Sequence, residues 1–116
     1  MIKLYTYFRA SGAYRARIAL NLKGLAHELE YLDLAGGRQA DPAYIKLNPQ
    51  KLVPTLLVDG HVLTQSLAII EYLDETRPTP AFLPADAFGR ARVRAIALAI
   101  ACEMHPLNNL RVLNFL

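Results

Sequence analysis

The chain has a single cysteine, Cys102, among its 116 residues. One thiol excludes an internal disulfide framework, and without neighbouring histidines it makes no zinc site. Cys102 is expected to be a buried core thiol. His27, His61 and His105 lie too far apart in sequence to suggest a metal cluster. Long apolar runs are missing as well: no stretch approaches the roughly 20 residues of a membrane span, and the opening MIKLYTYF lacks the basic, apolar and small order of a signal peptide. The expectation is a cytoplasmic protein without a membrane segment. The charge imbalance is slight, +3. Its one local run, Arg90, Arg92 and Arg94, has no interleaved aromatic residues on which bases could stack. It reads as a solvated helix face, so no nucleic-acid partner is expected. Repeats and low-complexity tracts are also absent.

What is present is an ordinary globular composition, 53% hydrophobic and 20% charged, in a length that suits one domain or a small domain with part of another. Residues Ile2 to Tyr7 alternate apolar and polar as a strand does, and a helix opened by Ser11 should run to Lys23 before Gly24 stops it. Glu28 to Leu34 reads as a second strand. Strand, helix, strand in this length favours a parallel pair with a right-handed crossover. Asp41 to Leu47 suits a short helix, ended by Asn48 and Pro49. Two apolar runs then flank Asp59 and Gly60, a strong hairpin signal, so Thr55 to Val58 should pair with His61 to Thr64. Ser66 is the expected N-cap of the next helix, which Arg77 and Pro78 end.

These elements predict an α/β unit over residues 1–78, a small mixed sheet with helices packed on it. The proline-rich RPTPAFLPADA reads as an extended linker, centred on residues 79–87. Phe88 to Met104 should be a long buried helix, with another helical element starting near Asn108. The apolar helical pattern breaks off at Leu116, which leads us to expect a truncated chain.

Three places suit one extended, anionic, peptide-like ligand. Ser11 brings a hydroxyl to a helix N-terminus, where free amides and the dipole favour an anion or a thiolate. Val53, before Pro54, is pushed to extended geometry and leaves an edge able to pair with a ligand's peptide groups. Gln65 and Ser66 start another helix, suited to a carboxylate. Each also has a plainer reading: both serines as simple caps, Pro54 as a turn with a trans bond, and Tyr5, Tyr7 and Tyr14 as packing residues.

The segments YFRASGAYRARIALNLKG, LNPQKLVPTLLVDG, LTQSLAIIEYLDETRPTPAFLP and HPLNNLRVL, in this order, resemble the zeta class of the glutathione S-transferases. The resemblance implies a thioredoxin-like N-terminal domain (1–78), the linker (79–87) and the beginning of an all-α C-terminal domain (88–116). It also implies a homodimer and glutathione as cosubstrate. Its activity would be cis–trans isomerisation of a maleyl dicarbonyl acid in aromatic catabolism. The substrate would be maleylacetoacetate, with maleylpyruvate isomerisation or general glutathione transfer as alternatives. A further alternative is a dimeric glutathione-binding protein without turnover.

Residue by residue, the resemblance places Ser11 and Gly12 at the glutathione sulfur. Val53 pairs with the cysteinyl part beside a cis Pro54, and Gln65 and Ser66 bind the γ-glutamyl end. Gln39 and His105 lie along the tripeptide, and Asn109 and Arg111 complete the pocket. No metal is implied. The family pattern has a further serine and a cysteine in the first turn, where this chain has Ala10 and Gly12. Thiol activation then rests on Ser11 and the helix amides, with Tyr7 in reserve. Arg9 is assigned with Ser11 to catalysis: its guanidinium can meet a substrate carboxylate with two parallel hydrogen bonds.

Overall fold

A computed structural model describes residues 1–7, 11–32, 42–48 and 53–100, the side chain of Ser11 excepted. In chain order the elements are β1 (Lys3–Thr6), α1 (Ser11–Leu22), β2 (Glu28–Tyr31), α2 (Pro42–Leu47), β3 (Thr55–Val58), β4 (His61–Thr64), α3 (Ser66–Thr76) and α4 (Ala87–Leu98). The sheet order is β2-β1-β3-β4, with β1 and β2 parallel and the β1–β3 and β3–β4 pairs antiparallel. This is the expected mixed sheet of a thioredoxin-like unit. No helix among the described residues is long and apolar enough to cross a membrane.

One face of β1 and β3 supplies Ile2, Leu4, Leu56 and Val58, which meet Ala16, Ala19 and Leu20 of α1 and Ile69 and Leu73 of α3 in a single core. The alanines let the α1 backbone come close to the sheet, and α1 and α3 lie against each other on that face. Helix α1 ends where expected. Gly24 takes φ 69°, and Gly24 N–H and Leu25 N–H donate to the carbonyls of Asn21 and Leu20, a Schellman ending that tucks Leu25 onto the core. The hairpin also holds: Asp59 and Gly60 both have positive φ, 53° and 77°, as a two-residue turn of the primed type requires.

Two segments add to or depart from the expectations. The stretch after α3, expected as an extended linker, is tied back onto the helices. The Lys23 side chain is fully buried at the end of α1, its ammonium 2.8 Å from Asp74 Oδ1, bonded to the Pro80 carbonyl, and 4.2 Å from the centre of the Phe82 ring. Asp74 Oδ1 also accepts from Phe82 N–H at 2.9 Å. This clasp ties residues 80–82 to α1 and α3, because a buried cation must find oxygen partners or a π face.

Helix α4, capped by Asp86 through a 2.6 Å bond from Gly89 N–H, buries none of its residues, contrary to the buried helix expected from Phe88. Phe88 is 73% exposed and Ile96 67%. An Arg94–Glu71 ion pair at 2.6 Å joins α4 to α3. Beside it lies an open apolar groove of about 480 Å3 lined by Leu67, Ile70, Phe82, Val93, Ile96 and Ile100. Composition alone suggested burial, but burial needs a second surface, and none of the described residues closes over α4. The expected Cys102 thiol and the helix near Asn108 lie outside the described residues.

Candidate functional site

Sheet register gathers the candidate residues at one end. Tyr5 of β1 is opposite Thr55 of β3, and Thr55 is opposite Thr64 of β4. The C-terminal end of β1, the start of β3 and the end of β4 are therefore neighbours. From that end α1 departs with Ser11 and Gly12, residues 53–54 enter β3, and Gln65 leads into α3. The N-termini of α1 and α3 face the same region, and their unpaired amides and positive dipole ends add there.

At the entry to β3 the Val53–Pro54 peptide is cis, as the family resemblance implied. The strand ladders end at Thr55, so the peptide groups of Val53 lie beyond the last paired residues. Thr55 is wholly buried and anchored from α2: Asn48 Nδ2 donates to its Oγ1 at 3.1 Å, and the Tyr44 hydroxyl shares a 2.7 Å hydrogen bond with the same oxygen. The Tyr44 ring leans on Tyr5 with centroids 5.4 Å apart. Burial, the largest influence, pushes the Tyr44 phenol above its ordinary pKa, although its bonds to Thr55 and Asn48 pull the other way. It therefore remains protonated at neutral pH. Neither Tyr44 nor Asn48 was singled out as a site residue in the sequence; Asn48 figured there only as the end of the short helix.

At the start of α3, Gln65 has φ 70° and ψ 120°, a region that residues other than glycine seldom adopt. Such backbone costs about 1–3 kcal/mol, persists only where its surroundings enforce it, and clusters at ligand clamps. Gln65 occupies the N-cap position without a side-chain capping bond, and Ser66 is already the first helical residue. This corrects the expectation that Ser66 caps α3. Its buried hydroxyl instead accepts a 3.0 Å hydrogen bond from Arg15 Nη2 of α1. Ser11 likewise begins α1 rather than preceding it, and Gly12 is buried in the first turn. Val53 is half-buried and Gln65 exposed. Of the other residues named from sequence, Arg9, Gln39, His105, Asn109 and Arg111 lie outside the described residues.

Residues 11–76 match the model of the glutathione S-transferase N-terminal domain. The chain is 52% identical over 118 aligned positions to maleylacetoacetate isomerase of Pseudomonas aeruginosa, across 99% of this chain and 56% of that protein. Among solved structures it resembles a maleylpyruvate isomerase described as a bacterial glutathione S-transferase of the zeta class. There the TM-score is 0.94 and the identity 50%, over 97% of this chain and 53% of the other. A maleylacetoacetate isomerase from Methylobacterium extorquens AM1, solved with bound malonate and glutathione, matches with TM-score 0.94 and 49% identity over 97% and 53% of the two chains. The chain thus spans about half the length of the curated relatives it matches. With its sheet, its cis proline and the matched residues in agreement, the chain belongs to the glutathione S-transferase family, and its likeness runs to the zeta class.

Proposed function

We propose that this chain supplies the glutathione site of a glutathione-dependent cis–trans isomerase that converts maleylacetoacetate to fumarylacetoacetate. The observation that carries this reading is the meeting of α1's N-terminus, the cis Val53–Pro54 step and the strained Gln65–Ser66 step at one end of the sheet. The donor set suits the tripeptide. Val53 offers peptide groups beyond the ladder for the cysteinyl part. Gln65 and Ser66 offer a hydroxyl and helix amides to the γ-glutamyl carboxylate. Ser11 and Gly12 bring the first turn of α1 to the sulfur. When bound, glutathione supplies a thiolate that adds to the maleyl double bond, allows rotation about it, and leaves.

In this reading the chain's residues do three things. The dipole and amides of α1, with Ser11, hold the sulfur as thiolate by lowering the thiol pKa. Arg9, with Arg111, holds substrate carboxylates and offsets the charge that develops on the carbonyl oxygen. Gln39, His105 and Asn109 complete the tripeptide pocket. We further assign residues 1–78 to the glutathione-binding domain, 79–87 to the connection and 88–116 to the beginning of the helical domain. The protein acts as a cytoplasmic homodimer.

A second substrate, maleylpyruvate, is favoured by the equally strong likeness to the maleylpyruvate isomerase, at 50% identity. The test supplies each acid with glutathione and follows isomerisation against the glutathione-only rate. Conversion of at least one acid well above that rate is expected. Conversion of neither, while glutathione still raises the melting temperature, would instead indicate a binding protein. Turnover confined to aryl halides would indicate a general transferase.

A further inference from the structure

The hydrogen bond between Arg15 and Ser66 joins the two helices whose N-termini face the proposed ligand. A guanidinium has five N–H donors and no acceptor, so the direction of this bond is fixed: Arg15 Nη2 gives and Ser66 Oγ receives. Arg15 is the partner of that hydroxyl among the described residues. With a lone pair committed to a cation, the hydroxyl's own hydrogen is left to be given elsewhere, and the adjacent charge makes it a better donor. A free serine hydroxyl rotates and can present either a hydrogen or a lone pair. This one cannot choose equally, because turning its hydrogen toward Arg15 would oppose two donors. Ser66 is 7% exposed, so the polarity is set in a place where water competes little.

From this we propose that Arg15 is a positioning residue that locks Ser66 as a donor and so makes the start of α3 selective for a carboxylate. The proposal rests on the reading that Ser66 meets the γ-glutamyl end of glutathione. Arg15 acts through Ser66, and its stem also lines the groove between α3 and α4. Arg15→Met keeps most of that stem while removing the fixed donor and the charge.

The test compares calorimetric titrations of glutathione and of cysteinylglycine, which lacks the γ-glutamyl group, into the wild-type chain, Arg15→Met, Arg15→Lys and Ser66→Ala. Arg15→Met is expected to weaken glutathione by about tenfold, the scale of one charge-assisted hydrogen bond, and to leave cysteinylglycine unchanged. Arg15→Lys should recover part of the loss. In the double variant with Ser66→Ala, the two losses should not add. If Ser66→Ala weakens glutathione but Arg15→Met does not, the role of Arg15 is overturned while the Ser66 reading stands. Equal losses for both ligands would also overturn it, by showing a general structural effect. If Ser66→Ala leaves glutathione binding intact, the Ser66 reading falls, and the role of Arg15 with it.

Discussion

Helices α1 and α4 are each 12 residues long and rich in alanine, leucine and isoleucine, yet their fates differ. Helix α1 places Ala13, Ala16, Ala19 and Leu20 in the core, whereas α4 buries no residue and leaves Phe88 and Ile96 mostly exposed. The contrast teaches that an apolar stripe is a capacity to pack, realised only where a complementary surface exists. For α1 that surface is the sheet and α3. Among the described residues, α4 meets one edge of α3, a surface ion pair and an open groove. The described residues of the candidate site, Gly12, Val53, Gln65 and Ser66 among them, lie on the well-packed side, where side chains can be held in fixed geometry.

The largest expected difference comes from truncating one residue on each side. Leu73→Ala, in the core, should cost about 2–5 kcal/mol, and Ile96→Ala on α4 no more than about 0.5 kcal/mol, both read from urea unfolding. Equal costs would erase the distinction between the two regions.

The Lys23 clasp comes next. Asp74→Ala leaves a fully buried ammonium without its carboxylate and should cost about 3 kcal/mol, with faster amide exchange at Phe82. The clasp also carries a pH signature. Burial pulls the Asp74 carboxyl up, but the bonds from Lys23 and Phe82 N–H together outweigh it and hold its pKa below the ordinary value. Its contribution is therefore present above the unfolded carboxylate pKa and lost as pH falls through the depressed one.

At the site, Tyr44→Phe removes one of the two described partners of the buried Thr55 hydroxyl and should cost about 1–2 kcal/mol. By loosening Thr55 it should also weaken glutathione binding. Unchanged affinity would mean that residues 53–55 are held without Tyr44.

The smallest effect is expected at the hairpin. The Arg77 guanidinium, with the Tyr72 hydroxyl, holds the exposed Asp59 carboxyl at a pKa of about 2. Stability from this group is complete above the ordinary carboxylate pKa, about 3.9, and fades as pH falls toward about 2. Melting temperatures of Asp59→Asn should fall less steeply than the wild type over that range.

Much of the first region was legible because its signals are local. Asp59-Gly60 with its flanking apolar runs specifies a hairpin, Gly24 a helix end, and alternation in β1 a buried face. What was missed depends on pairs distant in sequence. Lys23 reaches Asp74 and Arg15 reaches Ser66, each across 51 positions. The cap at Ser66 was misread because nothing in the sequence marks Gln65 as adopting positive φ. The exposure of α4 was misread because alanine-rich patterns report helix formation and not the presence of a partner surface. Gln39, His105, Asn109 and Arg111 came only from family resemblance, and Arg9 from the chemistry of its guanidinium; all five lie outside the described residues.

The central claim is that the end of the sheet where α1, residues 53–54 and α3 meet is the seat of glutathione. Titration of the isotopically labelled chain with glutathione, followed by amide chemical shifts, tests it most directly. The account predicts saturable changes concentrated at residues 11–15, 53–55 and 65–67, with α4 little affected. Saturable changes centred on the groove between α3 and α4, or none at all, would contradict it.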